Sequence, residues 1–576
     1  MDSTQKNNLS NCSRRDFLKT TGMGLAAMSF AGCAGTLMAN PSPAVVSDTA
    51  QDVIETDVLI IGGGIAGVFA AIKAKEQGVD VTLVDKGTVG KSGLSPWWGA
   101  YCRFDPADGS TADEYIKECA SVGKNLTIPD YTRMFTEDSM DRFNELLEWG
   151  VKEDTKGGRC IIFRDQVVKA GVRLIERTMV TDLLKSGGRV VGAVGFPMEE
   201  DKAIVIKAKA VVSCAGSGAF KTPGFPIGSL THDSDAMAYK AGAEISGKEF
   251  IDFHWTHWED PGDTFSNWES DFGGWHPEKF QYRGGGDDPR GGVFMALQAH
   301  QGMVPQTMGP PSGGMMGPPG GESGMQSGRG EGSGMVGGRP SFAPPGCRST
   351  DLAVVGGATA GCSPHKCEGV FPKGKKFSSS VPGFFAAGDS LCTGGANYSG
   401  GQGSSSSGSA VQGARAGKYA AEYAKENRLG DVRNSELTNI INGIFQPRTL
   451  EKGYSAQWVT QVLQGMMIPY YVLYIKKQDR LEAALTNVNF LKEHFAPNMM
   501  ATDTHDLRRV HELRNMLLNA EMRLRASLLR TETRGSHYRE DYPEIDDKNW
   551  LAWIIITKDG DNMKLEKRPV PEVWRS

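Results

Sequence analysis

The stretch from Asp57 to Asp85 constrains this chain more than any other. Asp57-Val58-Leu59-Ile60-Ile61 is a short apolar run suited to a buried strand, and it passes directly into Gly62-Gly63-Gly64-Ile65-Ala66-Gly67. An alanine-rich helical pattern follows from Val68 to about Gln77, and a second apolar run, Val79 to Val84, ends in Asp85. Strand, glycine turn, helix, strand and terminal acid in that order predict a βαβ unit that binds a dinucleotide. Gly62 permits the tight turn, Gly64 lets the backbone approach a pyrophosphate, and Gly67 lets helix and strand pack closely. The start of the helix offers free N–H groups to the phosphates. Asp85 is placed to accept hydrogen bonds from ribose hydroxyls. A lone glycine triplet fits any structural loop; the ordered set does not.

At 576 residues the chain exceeds one ordinary domain and predicts three or four units around a shared core. A net charge of −5, with no basic stripe carrying interleaved aromatics, argues against nucleic acid as a partner. Ten cysteines in a chain this long do not make a disulfide framework. The N-terminal segment, residues 1–44, reads as an address and linker. Ser13-Arg14-Arg15-Asp16-Phe17-Leu18-Lys19 has the form of a twin-arginine export signal, followed by a weakly apolar, Gly/Ala-rich stretch from Thr20 to about Ala39. That route carries folded proteins, which suits a chain that loads a cofactor before crossing into the periplasm or another extracytoplasmic space. Phe30-Ala31-Gly32-Cys33 resembles a lipoprotein cleavage box with an unusual first residue. It leaves three outcomes open: membrane association through a lipidated Cys33, cleavage nearer Ala44, or an uncleaved anchor. No later segment is long and apolar enough to span a bilayer.

Farther on, Gly171 to Ala215 is strand-rich: Val172–Ile175, Arg177–Val180, Gly188–Val194, Ala203–Lys207 and Ala210–Ser213, ending at Cys214-Ala215-Gly216-Ser217-Gly218. Residues 302–346 are rich in Gly, Met and Pro without periodicity, so they are expected to form a disordered surface insertion. Its methionines offer soft thioether ligands, but a flexible loop accounts for the composition, and no metal site is predicted. Beyond Gly430 the pattern turns helical. Val510, Leu513, Leu517, Leu524 and Leu528 recur at three- and four-residue steps, the stripe of a helix packed on a core.

These landmarks together resemble the succinate dehydrogenase/fumarate reductase flavoproteins. The resemblance rests on the βαβ start, on Val211–Gly218, and on Thr231-His232-Asp233 with Met237–Ala243. It continues through Glu249-Phe250-Ile251-Asp252-Phe253-His254 and through Pro382–Asp389, which is similar to the second flavin signature of that family. Arg534–Pro543, ending in Asn549-Trp550, is similar to its C-terminal domain, which L-aspartate oxidase and the adenylylsulfate reductase flavoprotein share. The resemblance implies an α/β fold: a Rossmann-like FAD-binding domain (residues 50–240 and 365–430), an inserted α+β capping domain (241–364) and a helical C-terminal domain and tail (431–576). The substrate site would lie between flavin domain and cap. The resemblance assigns FAD contacts to Gly62, Gly64, Ile65, Ala66 and Gly67, to Asp85, Lys86, Ser92 and Gly93, and to Ala215, Gly216 and Asp233. It puts the backbone of Val180 at the adenine and Asp389 at the ribityl chain. A helix beginning near Ser406 would point its positive end at the flavin pyrimidine edge and favour the anionic reduced ring.

Departures from the family are equally informative. Members with covalent flavin carry a histidine where this chain has Gly93, so FAD is expected to be non-covalent. The dicarboxylate-binding arginine is replaced by Tyr398, and a partner histidine falls in the apolar run Leu352–Gly357. Losing a bidentate charged partner costs a carboxylate several kcal/mol (about 3 or more), so fumarate and succinate are poor candidates. His254 matches the family's substrate histidine. Trp255, His257, Trp258, Trp268 and Trp275 follow it, and suggest an aromatic, less charged pocket against the alternative of core tryptophans. The nearest analogue of the family's proton-transferring cap arginine is Arg283, with Arg290 and Arg329 as competitors. Tyr398 is an alternative acid, as in the related ketosteroid dehydrogenases.

No Cys-x-x-Cys-His haem site and no ferredoxin-type cysteine run is present. A separate electron-transfer partner, an iron–sulfur, haem or quinol-linked subunit, is therefore expected. Cys362 and Cys367 form the one cysteine pair of interest, read as a disulfide, a soft metal site or two chance thiols. The leading expectation is an exported FAD-dependent reductase acting on an activated double bond of a small organic acceptor. Three alternatives remain: a dehydrogenase running the other way, an adenylylsulfate-reductase-like enzyme, and a non-catalytic electron-relay subunit.

Overall fold

The computed structural model describes residues 51–97, 103–151, 159–221, 228–251, 367–396, 404–468, 470–473 and 475–575, all within the compact unit Val46–Ser576. The export signal, Cys33, most of the capping segment with its insertion and tryptophans, His254, Arg283, Tyr398 and Cys362 lie outside the described residues.

The long strand β1 (Gln51–Ile61) lies near the centre of the main sheet, because Val58, Leu59 and Ile60 are wholly buried on both of its faces. It leads through the glycine loop into α1 (Ile65–Lys75), and β2 (Val81–Val84) returns parallel to it. The helix begins three residues earlier than its apolar pattern suggests, taking Gly67 into its first turn. After α2 (Ala112–Val122), α3 (Pro129–Glu148) and α4 (Arg159–Lys169), the chain adds β3 (Arg173–Ile175) beside β2. Then β4 (Thr178–Ser186), β5 (Arg189–Pro197) and β6 (Ala203–Ser213) form an antiparallel meander.

Two short runs were expected between Ala203 and Ser213, but β6 is one strand with two neighbourhoods. Its first half pairs with β5 and its last three residues pair with β9 (Phe384–Ala386), while β1 lies along its other edge. The parallel layer therefore runs β3-β2-β1-β6-β9, and the second flavin signature enters it directly from the far side of the cap. α5 (Asp233–Ala241), β7 (Ile245–Ser246) and β8 (Gly369–Val370) flank the capping segment on its two sides.

The C-terminal part is helical, with α6 (Ser404–Glu426) leading into it, then α7 (Asn434–Phe445), α8 (Ala456–Met467), α9 (Gln478–Phe490) and α10 (Thr504–Leu529). The predicted stripe is in place: Val510, Leu513, Leu517 and Leu524 on α10 are at most 1% exposed. A hairpin not foreseen from helical periodicity follows. β10 (Ala552–Asp559) and β11 (Asn562–Pro569) pair antiparallel, and β10 also joins β7, giving a four-stranded sheet in the order β11-β10-β7-β8. Thus the last strands of the chain join one sheet with the short strands that precede and follow residues 252–366 in sequence. Among the described residues no helix is long and apolar enough to cross a membrane.

Candidate functional site: a dinucleotide cradle between two parallel helices

The glycine loop is built by steric necessity. Gly62 has φ +102°, and a Cβ there would lie 2.4 Å from the Cys214 carbonyl oxygen. A Cβ on Gly67 would lie 1.8 Å from the Gly62 oxygen, so only hydrogen lets helix and loop meet. Gly64 differs: the one atom near its missing Cβ is Ser95 Oγ, at 3.0 Å. That open face beside the first turn of α1 is where a phosphate would lie. The first turn carries no acid to offset its positive end, and the Ile65 N–H donates to Ser95 Oγ (2.9 Å).

Asp85 has a structural task in addition to the ribose contact expected of it. Its carboxylate accepts from the Gly63 N–H, the Gly87 N–H and the Ser92 hydroxyl, each at 2.6 Å. One acid thus ties the phosphate loop to the 87–92 turn, and Gly93 follows with φ +69°. Lys86 points into an ion cluster: its Nζ lies 2.6 Å from Asp233, 2.9 Å from Glu512 on α10 and 3.0 Å from Thr231 Oγ1. Burial works against the Lys86 ammonium, but Asp233 and Glu512 outweigh it and raise its pKa above the ordinary lysine value. Burial would likewise raise the Glu512 carboxyl, but Lys86, Lys221 and Arg508 prevail and hold it at about 2. Asp233 also accepts from Thr231 Oγ1 (2.8 Å) and Asn515 Nδ2 (2.9 Å). Lys86 and Asp233 therefore anchor the nucleotide domain to the helical domain.

On the other side of the cradle, Ser390 Oγ donates to the Gly216 carbonyl (3.2 Å), joining the loop after β6, with Ala215, to the turn that holds Asp389. Gly388 in that turn has φ +68°, and a Cβ on it would lie 2.8 Å from Ala66 Cβ. The Gly388 N–H donates to Gln412 Oε1 on α6 (3.1 Å). Val180, in β4, is buried beside a register shift against β5.

The largest element of the site is the pairing of α1 with α6. Cβ atoms on Gly413 and Gly417 would each lie 2.1 Å from a carbonyl oxygen of α1, those of Ala66 and Ala70 respectively. These matched steps mean that the helices run parallel in near backbone contact. Ile65 starts α1 one residue before Ala66, whereas Ser404 starts α6 nine residues before Gly413. The two positive ends are therefore offset along the axis by eight residues, about 12 Å at 1.5 Å per residue. A ligand with an anionic centre at one end and an electron-accepting ring farther along matches that spacing. Ser406 lies buried in the first turn of α6.

His232, Asp235 and Glu368 bring ligand atoms within 4.8 Å of one another, a possible metal set. Lys248 Nζ already pairs with both carboxylates, 2.5 Å from Asp235 and 3.3 Å from Glu368, so an ammonium supplies the positive charge there. Burial lowers the His232 pKa to about 3 and keeps the ring neutral. Cys367 is buried, its carbonyl accepting from Cys392 Sγ (3.0 Å), and desolvation pushes the Cys392 thiol up to about 12.

The sequence reading missed Gly63, Ser95, Ser390 and Gln412. The small-residue pairs Gly413/Gly417 and Ala66/Ala70, each spaced four apart, were the available clue to the helix contact.

The fold and cradle define an FAD-dependent oxidoreductase. Residues 57–222 match the family described as FAD dependent oxidoreductase, and residues 461–573 match that described as fumarate reductase flavoprotein C-term. The chain is 25% identical to a fumarate reductase (CoM/CoB) subunit from Methanothermobacter marburgensis, over 88% of this chain and 98% of that one. Adenylylsulfate reductase from Archaeoglobus fulgidus superposes with a TM-score of 0.66 at 20% identity, covering 91% of this chain and 97% of that one. An E. coli quinol fumarate reductase flavoprotein gives 0.68 at 17%, covering 90% and 97%. The chain is thus similar along most of its length to succinate dehydrogenase/fumarate reductase flavoproteins, with an FAD-dependent oxidoreductase segment and a fumarate reductase flavoprotein C-terminal segment.

Proposed function

We propose that this protein is an exported reductase that takes electrons from a separate redox partner and delivers them through FAD to an activated double bond of a small organic acceptor. The observation that carries this reading is the offset pair of helix ends. One favours negative charge at the pyrophosphate, the other favours negative charge on the reduced ring. FAD, when bound, supplies the hydride transfer. The chain's own tasks are binding, orientation and proton supply. The Gly62–Gly67 loop at the start of α1 holds phosphate, Asp85 and Asp389 hold the sugar portions, and His254, with Arg283 or Tyr398, orients the acceptor and delivers the proton. Replacement of the family's dicarboxylate arginine by Tyr398 favours an aromatic or otherwise less charged acceptor over fumarate. The Methanothermobacter relative is by name one subunit of its reductase, which supports a separate electron-carrying partner. Arg14-Arg15 and Cys33 support export and attachment at the outer membrane face.

The test is stopped-flow. Purified holoprotein is reduced with dithionite-generated methyl viologen and then mixed with aromatic enoates, quinones and adenylylsulfate. Rapid flavin reoxidation by an enoate supports the reductase. Reoxidation by none of them would favour the relay role, and reoxidation by adenylylsulfate alone would favour the sulfur enzyme.

A further inference from the structure

Two chain segments lead into the residues proposed above for acceptor chemistry. One carries Ile251, three residues before His254; the other carries Ala396, two residues before Tyr398. They are far apart in sequence, yet both Ile251 and Ala396 hydrogen-bond to Ser536. The Ser536 N–H donates to the Ala396 carbonyl (2.9 Å). Its hydroxyl donates to the same carbonyl (3.1 Å) and accepts from the Ile251 N–H (3.2 Å). A serine hydroxyl has one proton to give and lone pairs to receive, and here it does both.

Its setting is rigid and dry. Ser536 is 5% exposed, Ile251 2% and Ala396 0%, so water has little access to replace these bonds. The serine sits in a tight turn in which Arg534 and His537 exchange backbone hydrogen bonds at 2.9 and 3.0 Å, and Gly535 adopts φ +55°. The Arg534 guanidinium is fixed by Glu532 (2.7 Å) and donates to the Lys124 carbonyl (3.0 Å). The inbound segment is held on the same side: Arg523 Nη1 donates to the Phe250 carbonyl (2.9 Å) and Lys476 Nζ to that of Glu249 (2.5 Å). These contacts clamp one segment at a time. The Ser536 hydroxyl contacts both.

We infer that Ser536 is a positioning residue whose hydroxyl fixes the segment leading to His254 against the segment leading to Tyr398. A turn distant from the flavin loop in sequence thereby ties Ile251 to Ala396. The inference rests on the proposed roles of His254 and Tyr398 for its catalytic consequence, but the coupling itself is measurable without them.

The experiment compares the FAD-loaded wild type with Ser536→Ala and Ser536→Thr. Amide hydrogen exchange is followed in peptides covering 247–256 and 392–400, with Val58–Ile61 as the internal reference. Ser536→Ala leaves the Ile251 N–H without its acceptor, and exchange in both peptides should rise about ten- to hundredfold. The reference strand and the flavin absorbance at saturation should not change. Ser536→Thr retains the hydroxyl and should restore slow exchange. In the methyl-viologen assay, Ser536→Ala should lower the limiting reoxidation rate more than the apparent acceptor affinity. Unchanged exchange in either peptide, or equal acceleration in the reference strand, overturns the inference. If the wild type reoxidises with no acceptor, the functional reading fails while the exchange result still decides the coupling.

Discussion

Two alanine substitutions three residues apart should separate folding from cofactor binding. In Gly67→Ala the new methyl would lie 1.8 Å from the Gly62 oxygen and 3.4 Å from Cys214 Cβ. An ordinary carbon–oxygen contact is about 3.3 Å, so helix and loop must part by about 1.5 Å. Backbone cannot yield as a side-chain tip does, and overpacking of this kind costs about 3 kcal/mol or more. Gly64→Ala meets only Ser95 Oγ, at 3.0 Å, and Gly64 has φ −73°, which any residue adopts. Its methyl instead projects among the N–H groups that face the phosphates. Losing two charge-assisted hydrogen bonds costs about 3 kcal/mol, roughly a hundredfold in Kd. Scanning calorimetry of the flavin-free proteins, followed by FAD titration read by fluorescence quenching, measures both effects. Gly67→Ala should melt earlier without cofactor, whereas Gly64→Ala should melt as the wild type does and bind FAD weakly. Wild-type FAD affinity in Gly64→Ala would refute the placement of the pyrophosphate.

Other consequences are simpler to state. The Glu512 pKa falls from 4.5 to about 2 on folding, so its stabilisation is complete above pH 4.5 and is lost as pH falls toward 2. Glu512→Gln should remove that share of the acid-side slope in urea unfolding and cost about 3–5 kcal/mol at neutral pH, because Lys86 and Lys221 lose a shared anion. A slope identical to the wild type's would argue against the cluster. If Gly93 stands where covalent relatives carry their attachment histidine, as the resemblance implies, acid precipitation should release all flavin to the supernatant; yellow colour retained in the pellet would contradict this. His254→Ala should keep full flavin content and lose at least tenfold in acceptor-dependent reoxidation, and undiminished turnover would remove His254 from the site.

The cradle was legible where the requirement is local. Gly62 and Gly67 are dictated by contacts within the six residues Gly62–Gly67 and the strand end beside them, so spacing alone exposed their roles. Asp85 was found for its position at the end of β2, but its three protein donors were not, since Ser92 and Gly87 gave no pattern of their own. Lys86 and Asp233 were assigned to the cofactor by resemblance, and the structure shows Lys86 paired with both Asp233 and Glu512, the latter more than 400 residues later in the chain. Nothing periodic marks an ion pair across such a separation. The β10–β11 hairpin was readable, because Gly560-Asp561, between the paired residues Asp559 and Asn562, is a two-residue hairpin turn signal flanked by Ala552-Trp553-Ile554-Ile555-Ile556 and Asn562–Pro569. Helical periodicity upstream obscured it.

The same distinction explains how the parts cooperate. A phosphate loop needs only β1, α1 and one acid, but placing a reactive ring requires a second helix end at a fixed distance. Gly413 and Gly417 set that distance by removing every side-chain atom between α6 and the carbonyls of Ala66 and Ala70. Enlarging either residue would move the second positive end sideways without touching the phosphate loop. The helical domain then adds the third constraint, since Glu512 grips Lys86 near the nucleotide while Ser536 grips Ile251 and Ala396 beside the cap. Both residues belong to the segment from α10 through the Arg534–His537 turn. One run of chain thus holds both Lys86 and the segments at Ile251 and Ala396, and under the proposed roles of His254 and Tyr398 it would register the cofactor and the acceptor against each other, the alignment a hydride transfer requires.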